Sequence, residues 1–250
     1  MKTSNKLIVT ALLLVFISLI GYDYVLKTEY TSGKYNDPYY GFVTLKYRDF
    51  DIADIVSSTA ANVKFVQGPY SVRIDTNAMG YTAIKQRGKH LEINAEFKGE
   101  YLYNPNPYIL VISCPKLNEV NINATYRSDN KQVTDTIVRD DWRMRQVLID
   151  GFKQDSMQIT QDYGSTIVLA NNVLGSVNAV VGKSTGSGSR IIVLKKNQFR
   201  DANFDIRNKS QLLLSDANIQ TLSFHLADSA KLVLSGSAQH LLNNLKSYPK

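Results

Sequence analysis

The chain has 250 residues, 44% of them hydrophobic and 20% charged, with a formal net charge of +7. This is the composition of a folded protein and excludes a disordered chain. The basic residues are scattered, with only Lys195-Lys196 adjacent in the C-terminal half, so the charge builds no nucleic-acid interface, and a single cysteine, Cys114, excludes an internal disulfide.

Lys2 and Lys6 precede an apolar run from Leu7 to Ile20, and Gly21-Tyr22-Asp23-Tyr24-Val25-Leu26-Lys27 follows, which is an export signal in form. The small-x-small pattern of a cleavage site is missing, because pairs such as Ser18/Ile20 put a bulky side chain at one position. The segment is therefore expected to be retained. Residues 7–27 then form a transmembrane signal anchor, long enough for a hydrocarbon layer of ~30 Å, with Tyr22 and Tyr24 in the far interface. Lys2 and Lys6 hold residues 1–6 in the cytoplasm and send the rest outwards. No lipobox cysteine follows the run. Residues 28–46, Tyr-rich with Gly33, Pro38 and Gly41, read as a stalk, and residues 47–250 as a single domain.

Tyr is abundant at 15 residues against one Trp, and Gly, Asn, Asp and Ser punctuate the apolar runs, which favours strands. Period-two alternation follows in Val63/Phe65, Tyr70/Val72/Ile74, Leu91/Ile93/Ala95, Ile109/Val111 and Val120/Ile122. Gln67-Gly68-Pro69 predicts a hairpin joining residues 62–66 to 70–75, and Arg87-Gly88-Lys89 predicts another joining 82–86 to 90–95. Pro115 stops the strand ending at Cys114, which reads as a small buried residue.

From Arg145 to Leu245 an apolar pattern returns at roughly twenty residues. One column reads Val147, Ile167, Ile192, Leu212, Leu232, and the next Ile149, Leu169, Leu194, Leu214, Leu234. Each repeat carries a second strand, with columns Met157, Val177, Ala202, Leu222, Leu242 and Ile159, Ala179, Phe204, Phe224. An insertion of about five residues falls in the stretch 182–189, and Asn172, Asn197, Asp216, Asn218 and Gly236 mark corners. A unit this short cannot bury its apolar face alone, but stacked units can. The expectation is an all-β, right-handed parallel β-helix, its handedness following from the general preference for right-handed crossovers. Leucine-rich repeats, the rival at this period, need a fixed Asn and helical returns, which are missing.

Four upstream segments carry a resemblance: 50–55 (Phe-Asp-Ile-Ala-Asp-Ile), 63–74 with its Gln67-Gly68, 90–93 (His-Leu-Glu-Ile) and 111–120 with Cys114-Pro115. In order and spacing they resemble the bacterial GIN-domain proteins, a family labelled auto-transporter adhesin head domains, over most of the chain after about Phe42. The resemblance implies a right-handed β-helix in the bacterial envelope. It implies no catalytic residues, and the adhesin label is itself an inference from shape.

Asp140-Asp141 is the only adjacent acidic pair near the repeats, and neighbouring strand residues point to opposite faces, which is poor geometry for an acid and base across a glycosidic bond. No Asn-Thr-Asp, Gly-His-Gly or Arg-Ile-Lys element accompanies it. Asp140, Asp141, Trp142 and Arg143 form the candidate ligand-binding stretch, where Trp142 would stack on a sugar and its charged neighbours bond hydroxyls. A coil-cap or packing role is the stronger reading of Trp142. His90, His225 and His240 are far apart in sequence, with His225 pointing outwards, so no metal or cofactor is expected. The sequence reading is a non-enzymatic envelope protein, an adhesin or binder of glycan or another envelope protein. It is anchored in the inner membrane with its β-domain in the periplasm, or exported if the signal is cleaved. The alternative is a polysaccharide hydrolase or lyase.

Overall fold

The computed structural model describes residues 2–33, 37, 39–98, 107–138, 145–227 and 229–244. The chain divides into two compact units, Met1–Phe42 and Val43–Lys250.

The first unit is built on one helix, α1 (Thr3–Thr31), which is apolar all round and buries none of its residues. At 1.5 Å per residue it spans about 43 Å. Thr10, Ser18 and Thr28 turn their hydroxyls back onto the carbonyls of Lys6, Val15 and Tyr24 at 2.9, 2.8 and 2.9 Å, so these polar groups need no water. The helix ends where Gly33, at φ 68°, takes the left-handed conformation.

The second unit is built from β-strands. In its first half these are β1 (Phe42–Leu45), β2 (Ile52–Ile55), β3 (Val63–Gln67), β4 (Ser71–Asp75), β5 (Thr82–Arg87), β6 (His90–Phe97), β7 (Leu110–Cys114), β8 (Glu119–Ile122), β9 (Thr125–Ser128) and β10 (Lys131–Thr134). In its second half they are β11 (Val147–Asp150), β12 (Lys153–Gln161), β13 (Thr166–Ala170), β14 (Val173–Val181), β15 (Arg190–Val193), β16 (Gln198–Ile206), β17 (Gln211–Ser215), β18 (Asn218–Leu226) and β19 (Lys231–Ser235). A nine-stranded sheet runs β1-β4-β7-β3-β11-β13-β15-β17-β19. A ten-stranded sheet runs β10-β9-β6-β2-β8-β12-β14-β16-β18, with β5 added against β6.

These are two mixed sheets, and the expected right-handed parallel β-helix is not what forms. β4 with β7, β5 with β6, and β9 with β10 pair antiparallel. The periodic columns specify which strands neighbour one another after Val147, and there the pairing is parallel throughout. They do not specify closure. With two strands per repeat the chain passes from one sheet to the other and back, and inward residues of both sheets, such as Ile149 and Leu169 of one with Met157 and Phe204 of the other, share one core.

The first half follows no repeat. The hairpin expected at Gln67-Gly68-Pro69 is not made, because β7 lies between β3 and β4 and pairs with both. Gly68 there sits against the backbone of the inserted strand, donating to the Cys114 carbonyl at 3.0 Å. The other hairpin forms as expected, Arg87 opposite His90 with Gly88 at φ 59°. Cys114 ends β7 fully buried, and burial pushes its thiol pKa up to about 12.

Two columns need a shift of register. The residues paired with Ile167 and Leu169 are Ile191 and Val193, not Ile192 and Leu194. One residue of the insertion falls in the turn Leu194–Asn197 rather than in the 182–189 loop, and a slip of one flips a strand's faces. Ile192 instead joins Leu148, Val168, Leu213 and Val233 in an apolar row on the outward face of the nine-stranded sheet. The last expected strand, around Leu242, is a 3-10 helix, Gly236–Asn244, which packs Ala238 against the core.

Candidate functional site

β12, β14, β16 and β18 are each nine residues long, and each breaks its in-out alternation at the same place. In β16, Phe199 is buried, Arg200 and Asp201 are consecutively outward, and Ala202 is buried again. Leu174, Gly175, Ser176 and Val177 repeat this in β14. The ladders skip Asp155, Gly175, Arg200 and Gln220, so four neighbouring strands bend in register, as a stack of bulges would. At the bend the backbones come together: a Cβ on Gly175 would lie 2.5 Å from the Asp155 carbonyl oxygen. Only glycine allows that approach.

The bend forms a groove of about 450 Å³ along the stack, crossing all four strands. Its lining is rich in side-chain amides. Gln154 is committed to the fold, accepting from Leu117 N at 3.0 Å and donating to Leu117 O at 2.7 Å. Gln198, Asn218 and Gln220 make no side-chain hydrogen bond among the described residues, and all three are exposed. The charges cancel. Lys153 and Asp155 both line it with opposite charges, and Arg200 Nε donates to Asp201 at 2.9 Å, which holds the Asp201 carboxyl below its usual range. Beyond the groove lies a second exposed amide row, Gln158, Asn178 and Asn203, in register on three strands.

The sequence matches no family model and no curated protein. The fold, however, is shared. A crystal structure from Parabacteroides distasonis named a "putative adhesin" superposes with a TM-score of 0.50 at 13% identity, over 77% of this chain and 71% of that one. At that identity the likeness shows the fold alone. A "putative adhesin" from Bacteroides fragilis (TM-score 0.44, 11% identity, 78% of this chain and 96% of that one) is more distant. So is a "putative lipid binding protein" from P. distasonis (0.23, 13%, 77% and 96%), and neither carries an argument.

Elsewhere on the ten-stranded sheet, polar side chains pair with one another. His90 Nδ1 meets Asp54 Oδ2 at 2.8 Å, and Asn121 Nδ2 donates to Asp54 Oδ1 at 2.8 Å and to Glu119 Oε1 at 2.9 Å. His225, outward as expected, meets Asp205 Oδ1 at 3.0 Å. Burial raises the Asp205 pKa, but hydrogen bonds and charge from Arg207 and His225 outweigh it and leave the carboxyl low. Beside a smaller concavity of about 310 Å³, Asp162 accepts from Ser184 N and Oγ and from Tyr163 N. Burial pushes this carboxyl up and the hydrogen bonds, outweighing it, hold it below the usual range. No group of three or more His, Cys, Asp or Glu among the described residues is placed to hold a metal ion.

Asp140, Asp141, Trp142 and Arg143 lie outside the described residues. The groove was missed by sequence reasoning, although its signal is present: each repeat places two polar or small residues in succession just before the apolar column Met157, Val177, Ala202 and Leu222, namely Asp155-Ser156, Gly175-Ser176, Arg200-Asp201 and Gln220-Thr221. Strict alternation allows only one.

Proposed function

We propose that the protein is a non-enzymatic, adhesin-like binding protein of a bacterial envelope, held in the membrane by α1, with its β-domain outside the cytoplasm and in contact with glycan or another envelope protein. The observation that carries this reading is α1 itself. It is 29 residues long, has a mean hydropathy of 2.1 over its most apolar window, and buries nothing. A helix apolar on every face has no partner in water and is matched by a hydrocarbon layer. Lys2 and Lys6 at its start orient the remainder outwards. The fold shared with the P. distasonis structure named a "putative adhesin" supports a binding role, and the unengaged amides of the groove supply a surface for it.

Membrane fractionation with alkaline extraction, followed by N-terminal sequencing, tests the anchor. The expected result is a membrane-retained chain that starts before Leu7. A mature terminus beyond Ile20, or release by alkali, refutes it. Incubation with a glycan panel tests the absence of catalysis, since release of new reducing ends would refute a purely binding role.

A further inference from the structure

We propose that the groove along the bend is a subsite for a linear, uncharged, hydroxyl-rich glycan whose chain runs across β12, β14, β16 and β18. This rests on the envelope-binding reading above and assigns its ligand. At about 450 Å³ the groove falls within the range of small-ligand sites, roughly 300–1,000 Å³. It is open to solvent and not enclosed, so a polymer can enter without threading.

Hydrogen-bond inventory selects hydroxyls. Each of Gln198, Asn218 and Gln220 offers an amide nitrogen with two donors and a carbonyl acceptor, unused by the protein. A pair of adjacent hydroxyls, each both donor and acceptor, matches one such amide. Gln198 and Asn218 are directly in register on neighbouring strands, so an extended chain meets equivalent amides one strand spacing apart, ~4.8 Å. Charge selects against polyions. Lys153 is offset by Asp155, and Arg200 is committed to Asp201, leaving no net charge to attract a polyanion or a polycation.

The one aromatic residue in the lining, Phe199, is buried in the core and offers no face for stacking on a sugar ring. Affinity therefore comes from hydrogen bonds alone and is low per site. Display of many copies on one membrane converts low affinity for a long polymer into firm attachment. The missing side chain at Gly175 lets the Asp155 backbone approach, which fixes the bend that the groove follows.

The test is native gel electrophoresis of the full chain in detergent micelles, with the gel containing galactomannan, laminarin or hydroxyethyl cellulose as neutral polymers, or polygalacturonate as an anionic one. Retardation is expected by at least one neutral polymer. The triple variant Gln198→Ala/Asn218→Ala/Gln220→Ala should weaken it by at least about tenfold, the loss of a few net hydrogen bonds. The parallel variant Gln158→Ala/Asn178→Ala/Asn203→Ala, on the same face outside the groove, should stay within about twofold of wild type, as exposed substitutions away from a site do. All six positions are exposed, so both variants are expected to fold. No retardation by any neutral polymer, unchanged retardation of the groove variant, or retardation by polygalacturonate alone overturns the assignment. A chain retained in the membrane that binds no neutral polymer loses this ligand but keeps its anchor, whereas a cleaved chain that binds does the reverse.

Discussion

Replacing Asn197 with alanine should be among the most destabilising single changes in the protein. Asn197 is fully buried at the corner between β15 and β16. Its Nδ2 donates to the Leu169 and Leu194 carbonyls, each at 2.7 Å, and its Oδ1 accepts from Asn172 N and Asn172 Nδ2, each at 3.0 Å. After truncation, Leu169 O keeps the Leu194 amide at 3.0 Å and Asn172 Nδ2 keeps Ile149 O at 3.0 Å. Asn172 N keeps nothing. A buried orphan donor costs ~1–3 kcal/mol, and the three other lost bonds ~1 kcal/mol each, for a total of about 5 kcal/mol. For a domain of this size that lowers Tm by about 10–20 °C. Thermal unfolding of the full chain in micelles, followed by the β-sheet circular dichroism signal, measures it. Asn178→Ala is the control, an exposed amide on adjacent β14 expected to change stability by ~0.5 kcal/mol or less. If Asn197→Ala melts within about 3 °C of wild type, the corner amides do not hold the stack and the reasoning fails.

Gly175→Ala should cost ~1–3 kcal/mol, read as a lower urea midpoint, because its Cβ would meet the Asp155 carbonyl oxygen at 2.5 Å; an unchanged midpoint would show that the bend yields freely. Cys114, buried with a pKa of about 12, should resist alkylation at pH 8 in the folded chain and react only on unfolding, whereas labelling at the rate of a free thiol contradicts its burial. Asp162 has a folded pKa below the usual aspartate value of 3.8, so its contribution is present above about pH 4 and is lost as pH falls through the folded value. Asp162→Asn should therefore flatten the acid limb of a stability-versus-pH curve, and identical limbs in the two proteins would refute the linkage.

The parallel half of the domain was legible because its physics is local and repeated. Ladders place like residues one above another, so Met157, Val177, Ala202 and Leu222 line up on the page as they do in the sheet. Ile192 was misassigned because in Ile191-Ile192-Val193 every residue is apolar, and a continuous run does not reveal which face is inward. The actual corner geometry was only half visible. Asp216 and Gly236 do take left-handed conformations, but at the other corners it is Asn171 and Lys196 that do so. Asn172 and Asn197 serve by their buried amides instead. In the first half the strands and the hairpin at Gly88 were legible but the strand order was not, since the insertion of β7 between β3 and β4 depends on contacts far apart in sequence, and Gly68 suits a hairpin turn as well as a close approach to another strand. The groove escaped notice because it arises from a phase break inside strands, where a search for columns looks only at what stays constant.

From β13 onwards each strand pairs, among the described residues, only with the strands one repeat before it and one repeat after it. Duplicating or deleting one unit of this kind would add or remove one strand in each sheet and leave every remaining neighbour unchanged. The groove follows the bend across the strands that repeat it, so its reach is set by how many units are stacked. Gene-level slippage in this stretch could therefore lengthen or shorten the bound segment of a ligand while its chemistry of recognition stays fixed.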